Sequence, residues 1–332
     1  MKSPLLSLPG AVSAEGVDEG VAAHYGDLFR EQRALADGTG FVDLSHRGVV
    51  AVTGADRLSW LHLLLTQHVS DLPVGRATEA LILSAHGHVE HALYLVDDGT
   101  TTWAHVEPGS QDALIAYLES MKFFNRVEVT DRTGEFAVVH LPAGSIAEVP
   151  EDAVVRETSY GRDLFLPRAD LESFAQDRGE DGSAGAGRHG PAVGLLAYEA
   201  LRVEQHRPRL GFETDHRTIP HELGWIGSAV HLQKGCYRGQ ETVARVQNLG
   251  KPPRRLVFLH LDGSEVHLPP HGTELRLADE GPEGRKIGFI TTSVRHHELG
   301  PIALGLIKRN VPVDARLLAD TTAAAQEIVV EP

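Results

Sequence analysis

Apolar positions recur at helical spacing over residues 21–36 and stop at Asp37-Gly38, which predicts a helix there after a loose lead-in over residues 1–20. The run GVVAVT at 48–53 is short and β-branched and predicts a strand, turned by Gly54-Ala55-Asp56. Leu58, Leu61 and Leu65 then fall at i, i+3 and i+7, with Trp60 and Leu64 widening the stripe of a second helix. Residues 79–96 read as a hairpin bent at His86-Gly87-His88, and Asp97-Asp98-Gly99 turns the chain into a strand at 102–106. Ser110 suits the cap of a helix whose apolar face is Leu114, Tyr117, Leu118 and Met121. Strands follow at 127–130 and 136–141, and helical patterns at 195–201 and 240–245.

Strands alternating with packed helices indicate an α+β layer architecture. After Leu249-Gly250-Lys251-Pro252-Pro253 the pattern changes. Alternating strands at 256–261, 287–293 and 302–307 are separated by glycine-rich turns with no helix between them, which predicts a small C-terminal β-barrel. The division expected is therefore a lead-in (1–20), an α+β region (21–249) and a barrel domain (250–332). Residues 178–192, RGEDGSAGAGRHGPA, are too poor in large apolar side chains to bury and are expected to form a mobile loop.

At 332 residues the chain is long enough for two or three domains, and no apolar run reaches the length of a membrane span. The N-terminus carries one lysine and a proline-broken apolar stretch, a poor secretion signal. Cys236 is the single cysteine, so there is no intramolecular disulfide and no four-cysteine cage, and a reducing cytoplasm is the expected location. The net charge of −15 excludes strong direct nucleic-acid binding in bulk. Against it stands a local excess. Residues 233–261 hold six basic side chains (Lys234, Arg238, Arg245, Lys251, Arg254, Arg255) and one acid, Glu241. This is either a solvated basic face or an anion-binding one.

The sharpest chemistry lies in Lys234-Gly235-Cys236-Tyr237-Arg238-Gly239-Gln240-Glu241. Two glycines leave the thiol little cover, and Lys234, Arg238 and a following helix start would favour its thiolate. The alternative is a small buried hydrophobe. His86, His88, Glu90 and His91 offer a second possibility, a zinc-binding module on the hairpin, although their spacing matches no established zinc pattern.

The octapeptide resembles the YgfZ family of folate-binding, iron–sulfur-related proteins on the scaffold of the glycine-cleavage T-protein. Over about residues 22–310, further blocks are similar to that superfamily: Asp43-Leu44-Ser45 to Gly54, Leu201-Arg202-Val203-Glu204, Ile219-Pro220-His221-Glu222-Leu223-Gly224, and Gly288-Phe289-Ile290-Thr291-Thr292-Ser293. The resemblance implies a T-protein-like multi-domain ring with a C-terminal β-barrel, binding tetrahydrofolate or a one-carbon derivative. It implies a folate site drawn from Glu204, Arg202, Tyr237, Gln240, Glu241 and Arg245. Glu204 could accept the pterin amino and ring N–H groups as a pair, or instead form a salt bridge with Arg202 on the same face of a strand. Cys236, held by Lys234 and Arg238, would be the reactive thiol. The implied role is accessory: iron–sulfur assembly or repair with transient client partners, and an indirect effect on tRNA modification. The T-protein's aspartate falls here at His91-Ala92, with Glu90 one residue away and so on the opposite strand face. Glycine-cleavage aminomethyl transfer is therefore not the first expectation; a folate-dependent one-carbon transferase is the alternative.

Overall fold

The computed structural model describes residues 2–176, 189–264 and 267–331. The chain divides into two compact units, one of residues 1–80 and 91–198, the other of residues 81–90 and 199–332. Most of the loop expected at 178–192 lies outside the described residues; Ala192 begins a short parallel strand beside Phe41–Asp43.

Two of the sheets have five strands each. One runs in the order Thr78–Leu83, Val89–Asp97, Thr101–Val106, Gly48–Thr53, Glu128–Asp131, so the hairpin expected at 79–96 and the strand at 48–53 are both present. The other runs Val154–Thr158, Gly161–Pro167, Phe136–Pro142, Phe41–Asp43, Ala192–Val193. The strand Phe136–Pro142 is paired on both edges and buried from Ala137 to Pro142, which explains its near-continuous apolar run. Its Ala137, Val139 and Leu141 pack with Phe41, Leu164, Leu166 and Phe174 in one core. Each fully buried Leu, Val or Phe contributes about 1.5–3 kcal/mol.

The first helix differs from its predicted extent. It spans Leu28–Ala36, because the Asp27 carboxylate accepts from the backbone N–H groups of Phe29 and Arg30 and fixes the start there. The preceding Ala22–His24 forms a strand with Val12–Ser13 instead. Ser110 stands at the N-cap of Gln111–Ser120 but makes no side-chain cap bond, and Leu114 and Leu118 hold that helix by burial.

In the second unit the expected barrel is closed and has six strands, in the order Arg254–Leu261, Gly300–Lys308, Gly288–His296, Glu274–Leu277, Arg316–Ala319, Thr322–Ile328. Closure leaves no edge. Val257, Leu259, Leu275, Ile290, Ala303, Ile307 and Leu317 fill it, all fully buried. The helix Gln240–Leu249 leads into it across Gly250, Lys251 and the two prolines. Among the described residues, no helix is long and apolar enough to cross a membrane.

Candidate functional site

The sequence block around Glu204 is helical, Leu195–Glu204, rather than extended. This corrects the shared face expected for Arg202 and Glu204, since residues two apart on a helix point in different directions. Arg202 turns inward and is 1% exposed. Its guanidinium donates to Glu199 (2.9 Å), to Glu213 (3.0 Å) and to the Thr292 hydroxyl (3.0 Å). Thr291 and Thr292 donate in turn to Glu213 at 2.8 and 2.6 Å, and Arg209 closes the network on Glu199 at 3.2 Å. Burial opposes the charge of Arg202, but Glu199 and Glu213 outweigh it and hold the guanidinium above its ordinary range. Arg202 therefore braces the helix.

Glu204, the last helical residue, keeps a half-exposed carboxylate. The residue that sequence reasoning missed stands beside it. His296, at the end of a barrel strand, has its Nε2 3.4 Å from the Glu204 carboxylate. The only sign in the sequence was the His296-His297 pair, which reads as loop.

The Cys236 segment is a second group. Lys234 is buried over the ring of Tyr237 at 5.2 Å, while Cys236 between them is exposed. Burial pulls the Lys234 ammonium down to about 8 and pushes the Tyr237 phenol up to about 12. Arg238 donates to Glu90 on the hairpin at 2.9 Å, so its charge is balanced by a carboxylate far away in sequence. Gly239 caps the helix Gln240–Leu249 at φ +82, a conformation that disfavours any side chain. A Cβ there would lie 2.6 Å from the Ser84 carbonyl oxygen and 2.9 Å from the Gly87 Cα, so the two glycines let the loop and the hairpin tip meet backbone to backbone. Gln240 is half-buried, and Glu241 lies exposed in the first helical turn, where the helix dipole favours an acid. Arg245 is exposed on the same helix.

The basic excess is smaller in space than in sequence. Arg254 donates to Asp215 at 2.6 Å and to Glu222 at 2.8 Å, and the first of these contacts holds Asp215 well below the usual carboxylate range. Arg255 is buried against the Val311 carbonyl and the Gln326 side chain. Arg245 and Lys251 are exposed.

The zinc alternative gains no ligand set: among the described residues no group of three or more His, Cys, Asp or Glu is arranged to hold a metal. The rings of His86 and His88 lie 6.2 Å apart across the turn, and His91 lies against Tyr117. In the first unit, a separate buried cluster went unseen because its members are up to 58 residues apart. There Asp163 accepts from His140 (2.7 Å), His105 (3.1 Å) and Arg156 (2.7 Å).

Residues 20–148 match the family described as the GCVT N-terminal domain. Aminomethyltransferases are similar over nearly the whole chain. That of Herpetosiphon aurantiacus is 26% identical over 92% of this chain and 90% of the relative. That of Geobacillus kaustophilus is 28% identical over 95% and 92%. A putative chloroplastic transferase of Arabidopsis thaliana is 24% identical over 94% of this chain and 74% of its own. The crystal structure of glycine cleavage system aminomethyltransferase T from Bartonella henselae superposes with a TM-score of 0.79, at 19% identity, over 98% of this chain and 95% of that one. The fold is thus that of the T-protein scaffold, ending in a closed six-stranded barrel.

Proposed function

We propose that the chain binds tetrahydrofolate or one of its one-carbon derivatives and transfers a one-carbon unit between it and an amine-bearing substrate. The observation that carries this reading is the Glu204 carboxylate, half-exposed at the end of a helix that the buried Arg202 network holds rigid. The full-length likeness to proteins named aminomethyltransferase supports it. A pterin presents an amino group and a neighbouring ring N–H, and a fixed carboxylate accepts both as a charge-assisted pair. Bound tetrahydrofolate would supply the nitrogen that carries the one-carbon unit. Glu204 would orient the ring, and Arg245 would attract the anionic tail from the helix that Gln240 opens and Tyr237 precedes. The test is a titration with tetrahydrofolate and its derivatives, followed by turnover with methylamine donors. Micromolar binding that weakens at least about thirtyfold in Glu204→Ala supports the reading, since each bond to a charged acceptor contributes about 1.5–3 kcal/mol. Binding unaffected by that change removes it.

A second reading is favoured by one specific feature. By the resemblance the T-protein's aspartate falls at His91-Ala92 in this chain, while Cys236 is exposed between the buried Lys234 and Tyr237. On this reading folate binding serves an accessory role in iron–sulfur assembly or repair, with Cys236 contacting a transient client and tRNA modification affected indirectly. Folate binding without turnover, together with loss of cluster-enzyme activity in a Cys236→Ser strain, would select it over transfer.

A further inference from the structure

We propose that His296 is a positioning residue for Glu204, using its Nε2–H to set the carboxylate against a ligand's pair of N–H donors. This rests on the folate reading of Glu204 and adds to it the residue that fixes the carboxylate's direction.

The geometry settles which ring nitrogen carries the proton. Nδ1 of His296 accepts two backbone N–H groups of the turn that follows it, Glu298 at 3.2 Å and Leu299 at 3.1 Å. A nitrogen that receives two donors has no hydrogen of its own, so the neutral ring carries its proton on Nε2. That nitrogen is buried and lies 3.4 Å from the Glu204 carboxylate without forming a hydrogen bond of good geometry. A buried donor left in this state costs free energy until a partner closes on it. At 3.4 Å the pair is longer than a formed N–H···O bond, so a small rotation of the Glu204 side chain is needed to close it.

The groups around the ring are consistent with a neutral imidazole. Glu204 faces it from the helix, and His297 and Glu298 face it from its own turn. Burial outweighs the two carboxylates and keeps His296 below its ordinary value of 6.5. A second proton would also have to enter at Nδ1, against the N–H groups of Glu298 and Leu299. One carboxylate oxygen would thus be held by His296. The other and the remaining lone pairs stay available to the half-exposed side, where a ligand's amino and ring N–H groups would bind.

Two substitutions separate this role from simple support of the turn. His296→Asn keeps an acceptor near Nδ1 and loses the donor at Nε2; His296→Gln keeps an amide N–H near Nε2 and loses the turn acceptor. Tetrahydrofolate titration should show about a tenfold loss in His296→Asn and less than about threefold in His296→Gln, the loss of one bond to a charged acceptor. A purely structural histidine would give the reverse order, which overturns the proposal. Nitrogen-15 spectra of the wild-type protein should show Nε2 protonated and its resonance shifted by Glu204→Gln; a proton on Nδ1 also overturns it. Wild-type protein that binds no tetrahydrofolate removes the folate reading and this proposal together. Normal binding that His296→Asn leaves unchanged removes this proposal alone.

Discussion

Neighbouring residues in this chain separate into those that brace and those that face outward, and burial with partners decides which is which. Arg202 and Glu204 are two residues apart, yet Arg202 is 1% exposed with two carboxylates on it and Glu204 is half-exposed. Removing one partner of a buried ion pair costs about 3–5 kcal/mol, so Arg202→Leu should lower the melting temperature steeply in calorimetry. Glu204→Ala should change stability by less than about 0.5 kcal/mol, because a surface carboxylate contributes little to folding. Lys234 makes a sharper prediction. Its amine is held at about 8, below the ordinary 10.5, by burial. Between those values the unfolded chain binds a proton that the folded chain does not, so stability rises with pH across that window. Below it both states are charged and the desolvation penalty is complete. Lys234→Met should therefore melt higher than wild type at pH 7, and the advantage should shrink as the pH is raised from 8 to 10.

At the scale of elements, the hairpin tip and the Cys236 loop depend on two glycines with positive φ, Gly87 at +80 and Gly239 at +82. A Cβ on Gly87 would lie 2.7 Å from the Thr242 Cβ, the counterpart of the clash at Gly239. Gly239→Ala should cost about 2–3 kcal/mol from backbone strain and steric overlap combined. Gly263→Ala, with only the Pro301 Cδ at 3.8 Å in its path among the described residues, should be near neutral in the same denaturation series. The elements themselves were largely legible. The Gly48–Thr53 strand, the hairpin, the Gln111–Ser120 helix and three of the barrel strands follow from local periodicity, because residues two or four apart report directly on a strand or helix face, whereas the barrel strands Glu274–Leu277, Arg316–Ala319 and Thr322–Ile328 were not foreseen. The first helix was drawn too long because an alternating AAH segment carries no period of its own, and only the Asp27 cap sets the start. The strands Val154–Thr158 and Gly161–Pro167 passed unnoticed, since Arg156 and Asp163 interrupt their apolar pattern with charges that pair only in the folded state.

For the molecule as a whole, those same charges should govern its response to acid. Burial pulls His105 down to about 4 from 6.5, and Asp163 is held well below its ordinary value by hydrogen bonds from His105 and His140 that overcome its own burial. Above pH 6.5 His105 is neutral in both the folded and the unfolded chain. As the pH falls toward 4 the unfolded chain takes up a proton that folded His105 refuses, so stability is lost through this window, and Asp163 adds its loss below the carboxylate range. Wild-type melting temperature should thus fall between pH 6.5 and 4, and His105→Gln should start lower but fall less steeply. The sequence by itself determined the α+β class, the terminal barrel and the glycine-flanked setting of Cys236, because each depends on composition or on residues adjacent in the chain, while the exposure of that thiol came from the structure. The tertiary structure alone decided that Arg238 meets Glu90, that Arg254 meets Asp215 and Glu222, and that Glu204 meets His296. Those partners lie between 32 and 148 positions apart. A charge counted along the sequence acts in the folded protein only through whatever the topology brings within a few ångströms of it.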